Sequence, residues 1–143
     1  MNEKTHRTRE QIRAAKAHDL ILKVKAESKD AKEIGRQCLR LPALIHQCGL
    51  CQAVAFLESK KFQSVVGHLA EVVQAPDHDS KKTVDGQTFA KLIRETGMVQ
   101  YQWLTREALK SAQWLKRYSE AILNLKPGDT SDAAEQGNGG VRP

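Results

Sequence analysis

The residue types able to do chemistry gather at a few places in this chain. Cys48-Gly49-Leu50-Cys51 is a CxxC, and His46 and Cys38 upstream complete four side chains of the kind zinc accepts. A zinc ribbon needs a second ligand pair, and a redox pair of the thioredoxin type needs a βαβ setting. Neither accompanies this motif, so these read as core cysteines at a helix junction, and no metal or other cofactor is expected. Asp77-His78-Asp79 has the residue types of a metal-dependent nuclease but not the rigid carboxylate partners. No glycine-rich phosphate loop, nucleophile elbow or Ser/His/Asp arrangement occurs. The expectation is a protein without catalytic activity.

Cations in rows offer a different chemistry. Trp103, Arg106, Lys110, Trp114 and Arg117 are spaced 3, 4, 4 and 3, which puts them on one face of a helix, with Lys116 beside them. Lys32, Arg36 and Arg40 form a second line, and Arg9, Arg13 and Lys16 a third. Cations beside flat rings suit a nucleic-acid backbone with occasional stacking. The alternative is that both tryptophans pack on other helices while the charges solvate the edge. With 5% aromatic residues there is no dense platform for unstacked bases, so binding should rest on phosphates and show little sequence preference. Helix, Gly49, helix also mimics a helix-turn-helix. Its reading helix, residues 50–58, offers Gln52 and Glu58 but no Arg, Lys or Asn for base edges, which argues against specific duplex DNA binding.

The elements that must position these rows are helices. No long apolar/polar alternation and no strand-turn-strand signal is present. Thr8 is a plausible cap for a helix carrying Ala14, Ala17, Ile21 and Val24, broken at Glu27-Ser28-Lys29-Asp30. A second helix from about Ala31 carries Ile34, Cys38, Leu41 and Ile45. Its Pro42 must kink it or start a new segment, and Gly49 ends it. Residues 50–59 are apolar almost all round and are expected at the buried centre. Phe62, Val65, Val66, Leu69 and Val72 or Val73 mark a fourth helix. A loop from Pro76, a short helix near Thr88 to Glu95, and a long last helix with Tyr101, Leu104, Ala108, Leu115, Tyr118, Ile122 and Leu125 follow, stopped by Lys126-Pro127-Gly128. The expected fold is an all-α, compact single-domain bundle of five to six helices over residues 1–126, with a disordered acidic tail over 127–143.

The 143 residues, 40% hydrophobic and 28% charged, describe an ordinary globular chain. Its net charge of +6 is uneven: residues 1–40 carry +5, 41–76 are neutral, 77–126 carry +3 and the tail carries −2. Such a distribution favours polyanions through counterion release. The charged start of the chain has no signal-peptide core, no apolar run approaches the roughly 20 residues of a membrane span, and three cysteines are no disulfide framework. A cytoplasmic address is expected.

Two segments carry a family resemblance. Arg40-Leu41-Pro42-Ala43-Leu44-Ile45, followed by Cys48-Gly49-Leu50 and Gln52-Ala53-Val54-Ala55-Phe56-Leu57, is the first. The second is Tyr101-Gln102-Trp103-Leu104-Thr105-Arg106-Glu107-Ala108-Leu109 with Trp114-Leu115-Lys116-Arg117-Tyr118. Over roughly Thr8 to Leu123 the chain resembles the small helical subunit of the Cmr (type III-B) CRISPR effector complex. The resemblance implies a non-nuclease subunit present in several copies along a backbone filament, where backbone subunits cut the target. It also implies a protein that lines the path of guide RNA and target RNA in antiviral defence. Arg40, Lys116 and Arg117 would be the first residues to carry over as RNA contacts. A free-standing, nonspecific nucleic-acid-binding protein is the alternative, and a zinc- or thiol-dependent protein using Cys48 and Cys51 is a more distant one.

Overall fold

The computed structural model describes residues 6–77 and 84–128. Among them the chain forms six α-helices and no strand: α1 (Arg9–Glu27), α2 (Ala31–Cys48), α3 (Leu50–Ser59), α4 (Gln63–Gln74), α5 (Gly86–Glu95) and α6 (Met98–Leu123). A 3-10 turn, Ala75–Asp77, follows α4.

Local chemistry sets most of the ends. Thr8 caps α1 in a capping box: its hydroxyl accepts from the Gln11 amide at 3.0 Å, and the Gln11 side chain accepts from the Thr8 amide at 2.8 Å. Asp85 caps α5 by accepting from the Thr88 amide at 2.9 Å. Gly49 both ends α2 and begins α3 at φ 88°, ψ 160°, a conformation essentially restricted to glycine. The last helix closes on Asn124 in the left-handed region, three residues before the Pro-Gly pair expected to stop it.

One expectation is narrowed and another corrected. Pro42 does not start a new segment. The helix runs through it to Cys48, and Pro42 is buried, so packing offsets the backbone hydrogen bond it cannot donate. The third helix is not buried all round. Leu50, Ala53, Val54 and Leu57 face inward, whereas Ala55 is exposed and Phe56 is half-buried beneath Arg40 and Lys60.

The core is built on α6, against which α2 and α1 make their most extensive contacts, while α4 packs chiefly with α5 and α6. Ile21, Leu41, Ile45, Leu50, Leu57, Leu69, Phe89 and Leu115 are its largest fully enclosed side chains. Each such side chain contributes roughly 1.5–3 kcal/mol on removal from water. Gly35 lets α2 come close to the end of α6: a Cβ there would lie 2.6 Å from the terminal methyls of Leu123 and Leu125. Across the gap from α4 to α5, the Gln74 amide donates to the Val84 carbonyl at 3.0 Å, and its oxygen accepts from the Val84 amide at 2.8 Å. That pairing holds together the two ends of the connection. Of Asp77-His78-Asp79 only Asp77 is among the described residues, and the tail beyond 128 also lies outside them.

Candidate nucleic-acid interface

The stripe on α6 forms as its spacing requires. Arg106, Lys110 and Arg117 are exposed, while Trp103 and Trp114 are half-buried and pack against the core. Lys116, off the stripe, is half-buried. Lys110 and Arg106 have no ion-pair partner among the described residues, and Arg117 is held only loosely, 3.4 Å from Glu120. Trp114 stacks on Tyr118 with ring centroids 5.8 Å apart, and His18 of α1 meets the edge of Tyr118 at 5.2 Å.

Between the start of α1 and this face of α6 runs a groove of about 740 Å³ lined by Lys110, Gln113, Trp114 and Arg117 from α6 and Thr8, Arg9, Glu10 and Arg13 from the α1 side. Lys110, Trp114 and Arg117 thus converge with part of the α1 row. Trp103 and Arg106 do not reach the groove, nor does any member of the α2 row.

The α1 row is corrected by its burial. Arg13 is 3% exposed, and its guanidinium pairs with Glu107, itself 5% exposed and 94 residues away in sequence. It is an internal ion-pair member and not a surface cation, because a desolvated guanidinium needs a carboxylate beside it. Arg9 forks onto Asp77 at 2.6 and 3.0 Å and reaches Glu107 at 2.9 Å. Hydrogen bonds donated to Asp77, then to Glu107, make Arg9 hold its proton more tightly than usual, while the hydrogen bond from Arg9 draws the Asp77 carboxyl below its ordinary range. Lys16 stands 3.6 Å from Glu71 across a half-exposed pair. In the α2 row Lys32 is exposed, Arg36 is 2.9 Å from Glu33, and Arg40 lies over the Phe56 ring at 5.1 Å.

The cysteines divide. Cys38 is enclosed, and burial pushes its thiol up to about 12. Cys51 is half-buried, and its backbone amide donates to the Tyr101 hydroxyl at 2.9 Å, tying the start of α3 to α6. Cys48 is exposed, which corrects its place as a core residue: it is the last residue of α2 and faces outward. Among the described residues no three His, Cys, Asp or Glu side chains are grouped to hold a metal ion, and no helix is long and apolar enough to cross a membrane.

The family model of the CRISPR-associated protein Cas_Cmr5 matches residues 9–122, which takes in all six helices except Leu123, the last residue of α6, and the groove lining except Thr8. The chain belongs to this family. It is similar to the CRISPR system Cmr subunit Cmr5 of Thermus thermophilus, at 35% identity over 120 residues, 82% of this chain and 97% of that one. The crystal structure of a CRISPR-associated Cmr5 family protein, also from Thermus thermophilus, superposes with a TM-score of 0.68 at 34% identity, covering 80% of this chain and 97% of the other. The Cmr5 fold is thus the fold of this chain, and both motifs of the resemblance lie within the matched residues.

Sequence spacing alone missed Glu107 and Asp77, the two carboxylates that organise the α1 end of the groove. A signal for the first exists in the chain. Arg13 stands four residues before Ala17 on the stripe that continues to Ile21 and Val24, and Glu107 stands between Leu104 and Ser111 on the buried stripe of α6. Opposite charges on two apolar stripes are the pattern of an internal pair.

Proposed function

We propose that this chain is the small, non-catalytic subunit of a type III-B Cmr effector complex. It holds guide RNA and target RNA by their phosphates and packs against backbone subunits and further copies of itself. Family membership supports a place in the complex. The observation that carries the RNA reading is the convergence of Lys110 and Arg117 at the α1–α6 groove, where Lys110 has no carboxylate partner among the described residues and Arg117 meets one, Glu120, only at 3.4 Å. On the α1 wall the arginines are balanced by Asp77 and Glu107. The α6 side therefore presents the positive potential that a phosphodiester seeks. Lys32, Arg36 and Arg40 on α2, with Arg106 and Lys116 on α6, extend the charge along other faces.

Single-stranded RNA should bind the isolated protein weakly and without sequence preference, log affinity falling against log salt by about 0.7 per phosphate neutralised. Lys110→Glu and Arg117→Glu should each weaken binding and lower that slope, more than Arg36→Glu or Arg40→Glu. Unchanged affinity in all four variants overturns the clamp. Purification from the native host should recover a particle carrying guide RNA, and a protein recovered alone and free of RNA overturns the scaffold role.

A further inference from the structure

We propose that the groove between α1 and α6 takes one unstacked nucleotide of single-stranded RNA, its base against the Trp114 indole and its phosphate at Lys110 and Arg117. The inference rests on the RNA-holding reading above and adds a base platform to what is otherwise a contact with phosphates.

The platform is built before any ligand arrives. Tyr118 covers one side of the Trp114 ring, with 24° between the ring planes, and His18 closes on Tyr118 edge-on at 81°. Tyr118, on the same helix, thus backs Trp114, His18 of α1 backs Tyr118 in turn, and Trp114 lines the groove. Lys110 stands four residues before it and Arg117 three after, one helical turn to either side of the indole. A ring flanked along the helix by two cations matches the layout of a nucleotide, whose base and phosphate are separated by a sugar.

Charge fixes the orientation. On the α1 wall Arg9 and Arg13 are engaged by Asp77 and Glu107, leaving Glu10 as the exposed acid of the groove wall. A phosphate is repelled from that side and drawn to the α6 side. Polar groups are left for the base: Gln113 and Thr8 line the groove. A volume of about 740 Å³ is within the range that encloses a small organic ligand.

The test uses the full chain carrying Trp103→Phe, which leaves Trp114 as its sole tryptophan. Its emission is followed while titrating a short single-stranded RNA and, separately, an abasic ribose-phosphate oligomer of equal charge. The RNA is expected to quench Trp114 and to bind about ten-fold more tightly than the abasic oligomer. Read by the anisotropy of end-labelled oligomers, since these variants lack the reporter, Trp114→Phe should keep most of that gap and Trp114→Ala should close it, with helicity by circular dichroism confirming that each variant folds. Equal binding of the two oligomers without quenching overturns the base platform and leaves the phosphate clamp standing. Failure of both oligomers to bind overturns both. Quenching by a free nucleoside monophosphate but not by RNA also overturns the proposal, in favour of a mononucleotide site.

Discussion

At the scale of single residues, Glu107 matters most to the integrity of the groove. It receives Arg13 inside the protein and Arg9 at its edge, so one carboxylate fixes two arginines of α1 on α6. Glu107→Ala leaves the Arg13 guanidinium desolvated and without a counter-charge. It should lower unfolding stability by about 3 kcal/mol in urea titrations. Arg9→Ala, at a side chain 44% exposed, should cost no more than about 1 kcal/mol. His68 supplies a pH dependence. Burial, helped by Lys23 and opposed by Glu71, pushes its pKa below the usual 6.5. The unfolded chain therefore takes up a proton that the folded chain resists. Its contribution to stability is complete above about pH 6.5 and diminishes as pH falls through that value toward the lower folded one. Urea midpoints at pH 7.5 and 5.5 should differ, and His68→Gln should narrow the difference. This scale was the least legible in the sequence. Arg13 has the same local surroundings as a solvated cation of a basic row, and the carboxylate that internalises it lies 94 residues away.

At the scale of elements, the helices were readable because their apolar spacing records the face each one buries, and because Thr8 acts on its near neighbours through its hydroxyl and Gly49 through its backbone conformation. Pro42 and Phe56 were harder. Whether a helix survives its proline, or hides its aromatic ring, depends on what packs there, and Arg40 and Lys60 cover Phe56 from outside. Two glycines show the same dependence in opposite senses. At Gly67, inside α4, an added Cβ meets nothing within 4 Å, so Gly67→Ala should stabilise by about 0.5–1 kcal/mol through helix propensity. At Gly86 the Cβ would sit 3.0 Å from the backbone nitrogen of Gly67 and 3.1 Å from its Cα, and backbone cannot turn aside. Gly86→Ala should therefore destabilise, by about 1–3 kcal/mol, by pushing α5 off α4. Thermal melts followed at the helical circular dichroism band check both signs.

At the scale of the whole molecule, charge and architecture point the same way. The +5 of residues 1–40 is partly neutralised by Glu107 inside, at Arg13, and by Asp77 at the edge, at Arg9, so exposed cations without a carboxylate partner among the described residues stand on α6, at Arg106 and Lys110, and on α2, at Lys32. The family resemblance in the sequence named the architecture correctly because its motifs cover the α2–α3 junction and the middle of α6, the segments that meet in the core. What it could not give was the groove, which exists only where the first helix and the last one meet. A chain ending after α5 should be largely unfolded by circular dichroism, since α1 and α2 would lose the helix they pack on most.

That reliance on α6 has a consequence for how the protein is made. Between the end of α1 and the end of α6 a ribosome must add residues 28–123, which at about 5–20 residues per second takes roughly 5–20 s. During that interval Ala17, Ile21 and Val24 have no finished core to enter, and Arg13 still awaits its carboxylate. The nascent chain therefore exposes an apolar stripe until α6 has been made, and its folding waits on that helix.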